Sequence, residues 1–311
     1  MAKNTLQSAE NSNLDGGMKK QRAFLKWAGG KFTLADAIRR VLPPGEKLIE
    51  PFVGAGSVFL NTDYDKYLLN DINPDLINLY RTLKRRPRSY INDARDLFAV
   101  ETNSADAFYA LRAQFNASSD IYERSLLFLY LNRHGYNGLC RYNASGGFNV
   151  PFGRYKKPYF PEAELEFFAE KSSKATFTCE PFENSFRRAR KGNVVYCDPP
   201  YLPLSPTANF TSYAARGFSF EEQQLLAKKA KHASRNRHIP VLLSNHDTDE
   251  ARVLYQGAEL TTLQVSRFIS QNGATRRKVA ELLAYFPAGG PVLQPSADSD
   301  FYLCPKSRKD K

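Results

Sequence analysis

The stretch KLIEPFVGAGSVFLNTDYDKYLLNDINPDLINLYRTLKRR, residues 47–86, leaves this chain few ways to fold. KLIEPF and KYLLNDI are apolar runs of strand length. Each leads into a segment of helical period: GSVFLNT opens one, and PDLINLYRTLKRR carries Leu76, Leu79 and Leu83 on one face. Strand, helix, strand, helix predicts parallel neighbours, because a helical crossover returns the chain to the same end of the sheet. Further along, ATFTCE, NVVYCDPPY and HIPVLLSNHD read as more apolar strands. The helix before the last of these opens on Ser219 and Glu222 at capping-box spacing. LTTLQVSRFIS and RKVAELLAYF, joined by QNGATR, predict a closing antiparallel hairpin. The expected fold class is α/β, a doubly wound and largely parallel sheet.

Residues from about 85 to 165 break this rhythm, with helical period in AFYALRAQFN and ERSLLFLYLNRHG followed by a turn-rich, aromatic and basic segment. An insertion is expected there. The division that follows is a flexible leader over 1–17, a main domain formed by 18–72 and 161–287, an inserted domain over 73–160, and a flexible tail over 288–311. Met18 opens a segment that reads like a start. The insertion holds 13 Lys and Arg against 7 Asp and Glu, a surplus of +6. The whole chain holds 44 against 32, a formal charge of +12. Such a balance favours a polyanionic partner, with nucleic acid first.

No apolar run approaches the roughly 18 residues of a membrane span, and the first residues lack an apolar signal core, so a cytoplasmic protein is expected. Cys140, Cys179, Cys197 and Cys304 form no CxxC pair and the four histidines are scattered, so neither a metal site nor a disulfide framework is indicated. Cys197, beside Asp198, reads as packing at a strand end, with no histidine near it in sequence to act as its base.

In KLIEPFVGAGSVFL the strand gives way to Gly54 and Gly56, which let the backbone turn sharply and approach a ligand. The next strand ends at Asp71, 17 residues beyond Gly54, where a carboxylate can accept hydrogen bonds from ribose hydroxyls. A nucleoside-containing cofactor fits both. The third glycine of the GxGxxG fingerprint is missing, so the turn by itself does not choose between NAD and another adenosine cofactor, nor exclude a purely structural turn.

NVVYCDPPY is more specific. Its strand stops abruptly at Asp198, Pro199, Pro200 and Tyr201, at a carboxyl end, where ligands bind in open α/β sheets. An exocyclic amino group on a base has two N–H donors and a lone pair delocalised into the ring. The Asp198 carboxylate and the Pro199 carbonyl, held in place by the prolines, could each accept one N–H and localise that lone pair. Tyr201 offers a ring for the base to stack on. An amine activated in this way suits methyl transfer from a sulfonium. In the Ser244–Asp247 stretch, also at a strand end, Asp247 or Thr248 reads as a helix cap.

With these blocks in view the sequence resembles the Dam-type DNA adenine-N6 methyltransferases. FLKWAGGK (24–31), EPFVGAGS (50–57), LLNDIN (68–73), LNRHGYNGLCRYN (131–143), FNVPFGRYKKPYF (148–160) and CDPPY (197–201) stand in the family's order over nearly the whole chain outside its tails. The resemblance implies a Rossmann-like class I methyltransferase sheet, and the motif order of the α group makes the mainly helical insertion, with its β-hairpin, the target-recognition domain. It implies S-adenosyl-L-methionine as cofactor and methylation of a flipped-out adenine in double-stranded GATC DNA, by a monomer and without metal. The cofactor would be held by Trp27, Lys31, Phe52, Gly54, Gly56, Asp71 and Asp198. The base would be held by Asp198, Pro199, Pro200 and Tyr201.

In the recognition segment Arg141 is the candidate for bidentate contact with guanine, Tyr136 for a wedge where the adenine leaves and Leu139 for a thymine methyl; outside that segment, the resemblance implies another base edge for Lys26. Tyr155 would pack on the backbone or a base, and Lys156 and Lys157 would meet phosphate. Asn143, Pro151 and Arg154 complete the DNA-binding set that the resemblance implies, whereas Asn137 and Gly138 read as turn residues. Read without the family, the residues also allow an N4-cytosine or RNA adenine methyltransferase, although N4 enzymes usually carry Ser in place of Asp198. They allow as well a non-catalytic DNA-binding protein with a vestigial cofactor pocket, or an NAD enzyme.

Overall fold

A computed structural model describes residues 19–201, 218–266 and 278–290. The leader, most of the tail, the LPLSPTANF stretch after Tyr201 and the QNGATR turn lie outside the described residues. In chain order the elements are α1 (Ala35–Val41), β1 (Lys47–Glu50), α2 (Ser57–Leu60), β2 (Lys66–Asn70), α3 (Pro74–Arg85) and α4 (Pro87–Asp96). Then come α5 (Ala105–Ala117), α6 (Ile121–His134), α7 (Glu162–Lys171), β3 (Ala175–Thr178), α8 (Phe182–Arg188) and β4 (Asn193–Cys197). The chain closes with α9 (Phe220–Arg237), β5 (Val241–His246), α10 (Asp249–Leu254), β6 (Glu259–Ser266) and β7 (Lys278–Phe286).

The strands form a seven-stranded sheet in the order β3-β2-β1-β4-β5-β7-β6. The first five are parallel, and β7 runs antiparallel to both β5 and β6. This is the Rossmann-like arrangement expected, closed by the expected antiparallel pair. The order reverses between β1 and β4, and in such sheets the crevice for a ligand opens at the carboxyl ends of those two strands. β1 delivers Glu50 and the glycine turn there, and β4 delivers Asp198.

Alternation along the strands sorts the core onto two faces. Leu48, Tyr67, Leu69, Val194, Tyr196, Leu242 and Leu283 point to one side. There they share a continuous core with the helices from α3 to α7. Ile49, Leu68, Val195, Cys197, Val241, Leu243 and Ala284 point to the other, beneath α8, α9 and α10. Side-chain caps start the helices where the sequence offers them. Asn73 accepts from the N–H groups of Asp75 and Leu76 ahead of Pro74, Ser104 caps α5, Asp120 caps α6, and Ser219 with Glu222 forms a complete capping box on α9. Each such cap contributes about 1 kcal/mol.

α3, which the sequence division groups with the insertion, is bonded to the sheet as well as packed on α6. Arg81 donates to Phe177 O at 2.9 Å and Lys84 to Ala175 O at 2.7 Å. The hairpin expected in the recognition segment exists as two isolated antiparallel bridges, Gly135 with Phe152 and Tyr142 with Phe148. Side chains of α5 hold the outer edge of the returning arm. Asn116 accepts from Phe148 N at 2.8 Å and donates to Phe148 O at 3.1 Å, and Arg112 donates to Val150 O at 3.0 Å. Among the described residues no helix is long and apolar enough to cross a membrane.

Candidate active site

At the switch point the Gly54 turn and the Asp198 loop face each other across the ends of β1 and β4. Gly54 has φ +47°, and a Cβ there would come within 3.0 Å of the Trp27 indole nitrogen, so both conformation and space demand glycine. Its N–H donates to Asp71 Oδ2 at 3.1 Å, while Asp71 Oδ1 accepts from Asn73 N at 3.0 Å. Burial pushes the Asp71 carboxyl up, opposed by those backbone donors. Gly56, φ +75°, is the residue before α2. Phe52 is half-buried, stacked on Phe182 at 5.5 Å and edge-on to Phe218. Trp27, Phe52, Gly54 and Asp71 are thus gathered at one crevice wall.

Asp198 is more tightly held than its sequence suggests. Its Oδ1 lies 2.9 Å from Lys31 Nζ, and Ser244 Oγ reaches the same oxygen at 3.3 Å. Lys31 is itself only 4% exposed, donates to Gly29 O at 2.6 Å, and stands 4.6 Å from the centre of the Tyr201 ring. Burial raises the Asp198 carboxyl above the usual carboxylate range, and the Lys31 ammonium pulls it back down. The sequence points Lys31 only at the cofactor, but the structure also pairs it with the acid of the motif.

Tyr201 is fixed on three sides. Besides Lys31, the His246 ring meets it edge-on at 4.7 Å, and the Tyr201 hydroxyl donates to Glu281 Oε2 at 3.0 Å. Pro199 is buried, and Pro200 O accepts from Gln223 Nε2 at 2.7 Å. The Ser244–Asp247 stretch therefore does more than cap. Thr248 caps α10 as expected, while Ser244 and His246 reach the motif. Cys197 is fully buried and its thiol is pushed well up by burial and Asp198, which fits packing and not nucleophilic chemistry.

Three residues of this site escaped the sequence: Glu50, Gln223 and Glu281. Glu50 is the one with a visible signal, an acid ending an apolar strand. It is 2% exposed, and among the described residues its Oε1 has no hydrogen-bond partner. Burial first, then Asp198, pushes its carboxyl well up. A buried acid left in this state is suited to a cationic ligand group.

The recognition candidates form two groups. Lys26, Tyr136, Leu139 and Tyr155 lie around the α6 C-terminus. Asn132 pairs with the backbone of Lys26 on both sides, accepting its N–H at 2.9 Å and donating to its carbonyl at 2.8 Å. Lys26 Nζ donates to Arg133 O at 3.2 Å and stands 3.8 Å from the Tyr155 ring centre, and its pKa is lowered to about 8 by burial and by Arg133. The Tyr155 hydroxyl accepts from Asn137 N at 2.9 Å, within a turn where Asn137 and Gly138 both have positive φ. Tyr136 is exposed, its N–H donating to Pro151 O at 2.9 Å.

The second group sits on the hairpin. Arg141 is exposed, with its guanidinium on Asn149, Nε to Oδ1 at 2.7 Å and a terminal nitrogen to the carbonyl at 3.1 Å. Asn143 organises the turn, its Oδ1 accepting from Gly147 N and Ser145 Oγ, each at 2.8 Å. Arg154, with φ +54°, Lys156 and Lys157 are exposed on the returning arm.

Comparison with known proteins agrees with this geometry. Residues 27–269 match the family described as D12 class N6 adenine-specific DNA methyltransferase. A DNA adenine methylase of Serratia marcescens is 62% identical over 269 residues, covering 86% of this chain and 100% of that protein. One of Escherichia coli K12 is 60% identical over 279 residues, covering 90% of this chain and 99% of its own length. One of Vibrio cholerae is 60% identical, covering 86% and 97%.

Proposed function

We propose, since this chain belongs to the D12 class of N6 adenine-specific DNA methyltransferases, that it acts on adenine within double-stranded GATC sites after the base has left the helix. The observation that carries this reading is the Asp198–Tyr201 loop at the switch point, with its acid and its aromatic ring both fixed in place. Bound S-adenosyl-L-methionine, the cofactor, supplies an electrophilic methyl group on a sulfonium, which an amine can accept in one displacement without a covalent enzyme intermediate.

The residues present fit that cofactor. Glu50, a buried acid with its Oε1 unpartnered among the described residues, suits its ammonium, the glycine at 54 lets the Trp27 indole pack directly on the turn, and Asp71 has lone pairs left for ribose hydroxyls. Trp27, Lys31, Phe52, Gly54, Gly56, Asp71 and Asp198 would hold it.

The chain's own part is to grip the amine. Asp198 and the Pro199 carbonyl accept the two N6 hydrogens and turn the lone pair out of the ring. Tyr201 stacks on the base. Once the nitrogen is alkylated it becomes acidic, and the proton that Asp198 already accepts leaves along that bond to solvent. On the DNA, Arg141 would leave Asn149 for guanine O6 and N7, Lys26 and Leu139 would meet other base edges, and Tyr136 would fill the gap in the stack. Asn143, Pro151, Arg154, Tyr155, Lys156 and Lys157 would line the backbone path. A cytoplasmic monomer is part of the same proposal.

The test uses labelled methyl donor with three substrates: GATC duplex, the same duplex with the site scrambled, and RNA of matched sequence. Label recovered as N6-methyladenine from the GATC duplex alone is the expected result. Equal labelling of the scrambled duplex sinks the GATC assignment, and label on cytosine N4 or chiefly on RNA sinks the substrate assignment.

A further inference from the structure

Two consecutive prolines leave the middle of the motif loop without an N–H, so among backbone groups Pro199 and Pro200 can be tied down only through their carbonyl oxygens. The Pro199 carbonyl is reserved for the amine in the reading above, which leaves Pro200 O. Gln223 Nε2 donates to it at 2.7 Å, from a side chain with no exposed surface. Gln223 lies in the first turn of α9, where the capping box fixes the backbone: Ser219 N donates to Glu222 Oε2 at 2.7 Å and Glu222 N to Ser219 Oγ at 3.2 Å.

The polarity of this contact is set at both ends. His246 N can only donate, and Asn245 Oδ1 accepts it at 2.9 Å. The Asn245 amide nitrogen therefore faces inward, donating to Tyr255 OH at 3.0 Å and to Gln223 Oε1 at 3.3 Å. With its oxygen so engaged, Gln223 must present its NH2 to Pro200 O, which can only accept. Asn245 and Tyr255 are fully buried as well. The chain of bonds begins at His246, whose ring meets Tyr201, and ends one residue before Tyr201, so the loop is held at both its backbone and its ring.

We propose that Gln223 is a positioning residue for methyl transfer, acting through this one-way amide relay to hold the Pro199 carbonyl at the amine. The inference rests on the proposed reaction. Gln223→Glu keeps shape and volume but sets an acceptor against Pro200 O, and Gln223→Met keeps volume and removes the donor. Single-turnover methyl transfer to GATC duplex should fall about 10- to 100-fold in both, as a displacement of the order of 1 Å at the reacting centre would cause. Cofactor affinity by calorimetry should stay unchanged, as should extrusion of 2-aminopurine at the target position followed by fluorescence.

The pH profile separates positioning from mere folding. In the Gln223→Glu variant a protonated carboxyl can donate to Pro200 O, so its rate relative to the unsubstituted protein should rise as pH falls. The Gln223→Met variant should show no such recovery. Unchanged transfer rates in both variants, with only a lower melting temperature, would overturn the proposal. So would equal loss in both with no difference in pH profile. An unsubstituted protein that methylates no adenine in duplex DNA would instead overturn the reaction itself, and the inference with it.

Discussion

The end of the sheet proposed to carry the chemistry and the surface proposed to read DNA are held by opposite means. In the Asp198–Tyr201 loop the acid, the Pro200 carbonyl and the tyrosine hydroxyl are each bonded to a residue from a different part of the fold: Lys31, Gln223 and Glu281. Around Arg141, by contrast, the guanidinium is bonded within its own hairpin, to Asn149, and the arm has isolated bridges in place of a ladder. The first region is assembled before any substrate arrives, which is what transition-state stabilisation requires. The second must exchange its internal bonds for bonds to bases. Gripping one amine favours rigidity, whereas choosing a sequence requires groups that can be released.

The largest effect should come from breaking the rigid half. Asp198→Ala removes one of the two acceptors for the amine and leaves Lys31, 4% exposed, without its carboxylate. Single-turnover transfer to GATC duplex should fall by about 10³-fold, the upper range for loss of one preorganised electrostatic partner. Near-normal transfer would show that the acid does not hold the amine. A smaller effect, of a different kind, is expected from the adaptable half. Arg141→Ala should cost roughly 1–3 kcal/mol of discrimination at one base pair. Because Arg141 is exposed and its guanidinium is bonded to Asn149 of its own hairpin, cofactor affinity and melting temperature should hold. Lost cofactor binding with unchanged base preference would reverse its assignment.

The same contrast explains what could be read without a structure. The parallel sheet was legible because strand and helix periods are local, and so was the place of the motif at the end of β4, where four adjacent residues carry the proposed chemistry. The loop's supports were not. Gln223 belongs to EEQQLLAKK, a polar helical stretch whose period says nothing of a carbonyl 23 residues back in the chain. Glu281 lies in a strand, and only the register that sets it opposite His246 brings it to Tyr201. In the hairpin, apolar and polar alternation was visible, but that Asn116 and Arg112 of α5 would bond the outer edge of its returning arm was not. Contacts between distant segments are a property of packing, which periodicity does not encode.

Lys26 joins the two halves, and its titration offers the finest test of how they differ. Two residues of its own block, Trp27 and Lys31, stand at the crevice proposed for the cofactor, while its ammonium lies 3.8 Å from the Tyr155 ring in the candidate recognition cluster. With its pKa lowered to about 8, it sheds its charge in the free protein where an ordinary lysine keeps it. Contact with DNA favours the charged form, so binding takes up a proton above pH 8. The dissociation constant for GATC duplex should then weaken by up to about tenfold per pH unit beyond that point. Stability runs the other way. Between about 8 and 10.5 the unfolded chain binds the proton that folded Lys26 has lost, so this group adds to stability as pH rises. Lys171, also lowered to about 8, acts on stability in the same direction but donates to Leu60 and Thr62 carbonyls, away from the recognition cluster. Binding that weakens while the melting temperature does not fall, and a flatter binding profile in Lys26→Met, would place the titrating charge on the DNA. An unchanged profile in that variant would move it elsewhere.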